Sequence, residues 1–163
     1  MKSSTLKFLS IVLFGSLILN MMACEDDQTT EMPEPNETEI WTGTTITFEK
    51  VNDADPNDEA NQDRLTDNVW LTRGNDGGQI YNAKSENDAS KNTSPSGTQW
   101  ALGTIDNVDD LDFQSFRSTI TPKQAVGKDL VLFLPADNVY LSVKFTKWSS
   151  GKGGGFAYER SSK

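Results

Sequence analysis

The sequence predicts an all-β domain: a single β-sandwich, with a jelly-roll-like arrangement as one variant and an open barrel as the alternative. Three observations predict it. Val139, Leu141, Val143 and Phe145 alternate with Tyr140, Ser142, Lys144 and Thr146. That period of two gives a strand one apolar face, whereas a helix would scatter the same four residues around its axis. Seven short runs rich in β-branched and aromatic residues are bounded by turn-forming residues, as in small antiparallel folds. Helical periodicity is scarce.

In chain order, strands are expected over 44–51, 69–73, 79–82, 99–104, 130–134, 138–148 and 156–160. Asn75-Asp76-Gly77-Gly78 is a hairpin-type turn between the second and third. The polar stretch 84–97 reads as an exposed loop. Leu111, Phe113, Phe116 and Ile120 fit either a short helix or an irregular strand. Pro135-Ala136-Asp137-Asn138 carries residues that favour turns for separate backbone reasons and joins the next two strands as a hairpin. Gly151, Gly153, Gly154 and Gly155 lead into the last strand. A phosphate-cradling loop needs a lysine after the glycines and then a helix. Here Lys152 lies among the glycines and a strand follows, so the stretch reads as a turn with close backbone approach.

The N-terminal part has a different character. Lys2 and Lys7 precede a 12-residue apolar run, 8–19, the form of a secretory signal and too short for a hydrocarbon core of ~30 Å. Met21-Met22-Ala23-Cys24 resembles a lipoprotein processing box, with Met21 where leucine is usual. That resemblance implies removal of 1–23 and attachment of acyl chains, palmitate among them, to Cys24. The alternative is an ordinary cleaved signal that leaves a lone thiol. Cys24 is the only cysteine, so no disulfide can protect it in an oxidising compartment. Glu25-Asp26-Asp27 resembles the surface-export signal of Bacteroidetes-type lipoproteins, which implies an outer-membrane, cell-surface location. The plainer reading is a solvated tether. Residues 24–39 contain seven acids, two prolines and no base, which predicts a disordered, extended spacer.

The remaining stretch, 40–163, suits one domain with one core. The chain has a net charge of −9, most of it in the tether, and the domain itself carries −4. This lacks the basic footprint that nucleic-acid binding requires. The ending F-T-K-W-S-S-G-K-G-G-G-F-A-Y-E-R resembles the ending of a family of small secreted bacterial modules. Asn61 to Arg73 and the Trp100-Ala101-Leu102-Gly103-Thr104 element resemble earlier segments of that family. The resemblance spans roughly residues 44–160 and implies an extracellular β module without implying an activity.

The chain has no histidine, which removes Ser-His-Asp and Cys-His catalysis and most zinc sites. Two kinds of site stay open. Asp53, Asp55, Asn57, Asp58, Glu59 and Asp63 gather the hard oxygen donors that calcium takes. Their spacing opens like an EF-hand loop and then departs from it, with Asp58 where glycine is needed and Arg64 where glutamate is needed. A solvated acidic loop is the competing reading, and Asp106 to Asp110 is a weaker candidate of the same kind. The second kind of site uses aromatics. Trp148, Tyr140 and Trp70 are the candidates to stack on a sugar, against a default in which tryptophans fill the core. Trp148 falls out of phase with the Val139–Phe145 face and beside the glycine turn, so it is expected to be exposed on the same side as Tyr140. At least two of the four tryptophans are expected in the core. The leading expectation is a non-catalytic surface lipoprotein whose β module binds a glycan or a protein. The alternatives are a structural subunit of an envelope complex and a small carboxylate-based glycoside-acting enzyme.

Overall fold

The computed structural model describes residues 37–163; the signal segment, Cys24 and the tether up to residue 36 lie outside the described residues. The described chain is all-β. It forms β1 (Glu39–Trp41), β2 (Thr45–Lys50), β3 (Asp63–Arg64), β4 (Trp70–Arg73), β5 (Ile80–Asn82), β6 (Gln99–Leu102), β7 (Asp129–Leu134), β8 (Val139–Trp148) and β9 (Phe156–Ser161), with one α-helical turn, α1 (Phe116–Thr119), and three short 3-10 segments. Seven of the nine strands coincide with the expected runs to within a residue or two. The exceptions are β1 and β3. β1 is a three-residue strand at the end of an acidic stretch, and β3 is a polar pair with no periodicity to read.

Two sheets share one core. The larger has the order β2-β9-β8-β7-β6 and is antiparallel throughout, with β1 added parallel to the start of β8. The smaller is β3-β4-β5. Alternation sends Val139, Leu141, Val143 and Phe145 inward, opposite Leu134, Leu132, Leu130 and Tyr158 of the neighbouring strands. Leu71 and Ile80 of the smaller sheet are fully buried in the same cluster. Each such side chain contributes about 1.5–3 kcal/mol of apolar transfer free energy, which is why the inward phase of β8 is fixed.

The stretch left open between helix and strand uses both solutions. Gln114 exchanges backbone hydrogen bonds with Trp100 at 2.7 and 2.9 Å, extending the sheet beyond β6 by one bridge. The chain then turns through α1. Phe116 is fully buried there, against Trp100 at 4.9 Å and Phe145 at 5.6 Å between ring centroids.

A buried polar contact ties the sheets together. Arg160 of β9 donates from Nε to Asp63 Oδ2 at 2.7 Å and from Nη2 to Oδ1 at 2.9 Å. The Tyr158 hydroxyl donates to the same carboxylate at 2.7 Å. Burial pushes the Arg160 guanidinium down, but the Asp63 hydrogen bond and charge outweigh it and hold the group above its ordinary value.

Candidate functional site

The site is built at the end of β8, and an irregularity in that strand creates it. The ladder between β8 and β9 slips between Phe145 and Lys147, where Thr146 is extra. A one-residue bulge reverses which face the following residues meet. Trp148 therefore pairs with Phe156 and turns onto the core side, with ring centroids 5.6 Å from Phe145 and 6.2 Å from Phe116. This corrects the expectation that Trp148 is exposed beside Tyr140: it is half-buried, and the two residues lie on opposite faces of the sheet. A bulge has no signature in simple alternation, so a phase read from Val139 to Phe145 does not extend past Thr146.

Three segments surround Trp148. The first is the β4–β5 hairpin. Arg73 lies two residues beyond Leu71, hence on the same inward face, and only 2% of it is exposed. The Arg73 guanidinium sits over the Trp148 ring at 4.3 Å. Its Nε donates to the carbonyl of Gly78 at 3.1 Å, and Nη1 donates to the carbonyls of Ser149 and Gly155, both at 3.0 Å. Nη2 has no protein acceptor among the described residues. Burial pushes the Arg73 guanidinium below its ordinary value.

The second segment follows α1. Phe116, locked in the core, sets the position of Arg117. A short 3-10 turn, Pro122–Gln124, with Pro122 buried, sets that of Lys123. The third is the glycine turn. Gly153 N donates to Asn75 O at 2.7 Å, and Gly153 O accepts from Asp53 N at 2.7 Å. A Cβ on Gly154 would stand 2.3 Å from the carbonyl oxygen of Gly74. Gly154 and Gly155 are there because the turn is pressed against the backbones of Gly74 and Asn52. Beneath it, Lys50 is fully buried and donates to Asn75 Oδ1 at 2.7 Å. Its amine is held below its ordinary value by burial and then by the charge of Arg73, against Asp53 and Asp55.

Together these segments line an open cleft of about 540 Å³, walled by Arg73, Arg117, Lys123, Lys152, Trp148 and the hairpin glycines. Asp76 is the one carboxylate among the lining residues. It approaches Lys152 at 3.8 Å, with both side chains in solvent, a contact that contributes little. A neighbouring depression of about 650 Å³ shares Arg117 and Thr121 and has no aromatic wall.

The other aromatic candidates lie elsewhere. Tyr140 stacks on Phe133 at 4.2 Å and meets Phe113 edge-on at 5.4 Å, forming a partly exposed cluster on the outer face of the larger sheet. Trp70 has Arg64 over its ring at 4.0 Å and Lys84 at 4.6 Å, and its indole N–H donates to Thr66 O. Trp41 and Trp100 are core residues. The three aromatics expected to bind ligand are thus not brought together.

The acidic loop is not gathered either. Asp63 is taken by Arg160 and Tyr158, and Glu59 pairs with Arg64 at 2.9 Å. Asp55 accepts from the backbone and side chain of Asn57, both at 2.9 Å. Asp53 adopts a left-handed φ of 63°, and Asp58 and Glu59 are exposed. Among the described residues no group of three or more acidic, cysteine or histidine side chains is placed to hold a metal, and this includes 106–110. The calcium candidates share a stretch of sequence but not a point in space.

A scan against protein-family models finds no match, and searches of curated proteins and of solved structures find none.

The residue that sequence reading missed is Arg73. Its signal was available: a charged residue in phase with Leu71 inside a strand-forming run is either at a sheet edge or held for a purpose.

Proposed function

We propose that this chain is a surface lipoprotein, anchored in the outer membrane through acyl chains on Cys24, whose β domain is a non-catalytic saccharide-binding module. The observation that carries the reading is the half-buried indole of Trp148, braced by Arg73, in the wall of an open cleft. An indole offers a flat apolar surface to the C–H face of a sugar ring, and fixed cations and backbone groups around it reach hydroxyls and substituents. The cleft volume accommodates a short saccharide. A non-catalytic role is supported by the single lining carboxylate, Asp76, because glycoside hydrolysis by the usual route takes two.

The test is calorimetric titration of the full-length chain in detergent with neutral and acidic oligosaccharides, in wild type and Trp148→Leu. Saturable binding that weakens at least tenfold in a variant with unchanged circular dichroism supports the reading. Binding unaffected by the substitution, or absent for every saccharide, overturns it. A second reading, a structural subunit of an envelope complex, is favoured by the Phe113–Phe133–Tyr140 cluster on the outer sheet face. Cross-linking from that face in intact cells distinguishes the two.

A further inference from the structure

We propose that the Trp148 cleft selects an anionic saccharide, one bearing a carboxylate or sulfate group, and that this group docks on Arg73. The inference rests on reading the cleft as a saccharide site and names the ligand class that the site takes.

The first observation is an uncompensated charge. Arg73 is 2% exposed, yet no carboxylate of the described chain pairs with it. Removing a charge from water without a counter-ion costs several kcal/mol. Three carbonyls and the Trp148 π face offset part of that cost, but they leave the charge itself unneutralised. They also leave the nitrogen Nη2 with no protein acceptor. Arginine presents its donors as a fork matched to planar oxyanions. An anionic ligand entering the cleft that Arg73 lines would give Nη2 a charged acceptor in place of solvent and the guanidinium its countercharge.

The second observation is the company Arg73 keeps. Arg117 and Lys123 line the same cleft and have no ion-pair partner among the described residues. Lys50 is a second buried cation, near enough for the charge of Arg73 to help hold its amine below its ordinary value, against Asp53 and Asp55. The protein is acidic overall, so this concentration of positive charge is local. Charges of one sign along a cleft raise the potential where a ligand enters. Neutral sugars gain only hydrogen bonds to their hydroxyls from such an arrangement. Anionic ones gain hydrogen bonds charged on both sides, with the bidentate geometry that a planar oxyanion offers to arginine.

The test uses the full-length chain in detergent and matched pairs of probes: trigalacturonate against the neutral galactose trimer, and a heparin-derived tetrasaccharide against its desulfated counterpart. Triglutamate serves as an anion without a sugar. In at least one pair the anionic member is expected to bind at least tenfold tighter than its neutral partner, with affinity falling as salt rises. Which pair responds tells carboxylate from sulfate. Replacing the exposed residues together, Arg117→Gln with Lys123→Gln, should weaken the anionic probe about tenfold and leave the melting temperature unchanged. Equal binding of both members of each pair overturns the inference alone, as does an anionic affinity indifferent to the double substitution. Triglutamate binding as tightly as the sugars overturns the saccharide class. No binding by any sugar removes the saccharide reading and the inference with it.

Discussion

The guanidinium of Arg160 grips both carboxylate oxygens of Asp63, at 2.7 and 2.9 Å, across the gap between the two sheets. Both side chains are over nine-tenths buried, so neither can fall back on water when its partner is removed. Asp63→Asn keeps the shape and deletes the countercharge. It should lower unfolding stability by about 3–5 kcal/mol, read from urea denaturation. A loss under about 1 kcal/mol would mean that the pair contributes no more than an exposed one.

Tyr158 hydrogen-bonds to the same carboxylate and is fully buried. Burial first, and then the charge of Asp63, hold its hydroxyl well above the ordinary value of 10.0. The folded chain therefore keeps a proton that the unfolded chain releases. The sign follows: this contribution is complete below pH 10.0 and is lost as pH rises beyond it. In an alkaline titration the tyrosinate absorbance of Tyr158 should appear together with unfolding, not before it. Tyr158→Phe should remove that step and cost about 1–2 kcal/mol at neutral pH. Ionisation of Tyr158 in a still-folded chain would contradict this.

Two glycines in one turn separate strain from crowding. Gly151 has φ of +74° and open space for 4 Å around the position a Cβ would take, whereas Gly154 has φ of +69° and a carbonyl oxygen 2.3 Å from that position. Gly151→Ala should cost about 1–2 kcal/mol, the left-handed backbone term alone. Gly154→Ala must also push the turn off the β4–β5 hairpin, so it should cost more and should lower affinity at the cleft. Equal melting temperatures for the two variants would show that the turn is not clamped.

The proposed anchor gives a prediction independent of the domain. Cys24→Ser removes the only thiol and should move the protein from the membrane fraction to the soluble fraction of cells. Retention in the membrane of a variant from which residues 1–23 have been removed would place the attachment elsewhere.

Most strands were legible because a half-buried strand writes its geometry into alternation, as Val139 to Phe145 show. What alternation could not convey was its own interruption at Thr146, and with it the place of Trp148. β3 was hidden because it is held by an ion pair rather than by apolar residues: Asp63 looked like one more acid in a loop. The acidic candidates Asp53 to Asp63 are dispersed for the same reason, since a run of carboxylates says nothing of where each side chain finds its partner. The cationic character of the cleft was scattered over residues 73, 117, 123 and 152, and only the fold collects them.

β8 also sets a polarity. The described chain enters the domain beside the turn that precedes this strand, where Glu39 N donates to Asn138 O at 2.9 Å. The Trp148 cleft opens at the strand's other end, nine residue steps away, or about 30 Å along an extended chain. The entry of the described chain at Glu39 and the Trp148 cleft therefore lie at opposite ends of β8. Under the proposed reading, adding or removing residues before Glu39 should therefore leave saccharide affinity unchanged, because that end of β8 contributes nothing to the cleft.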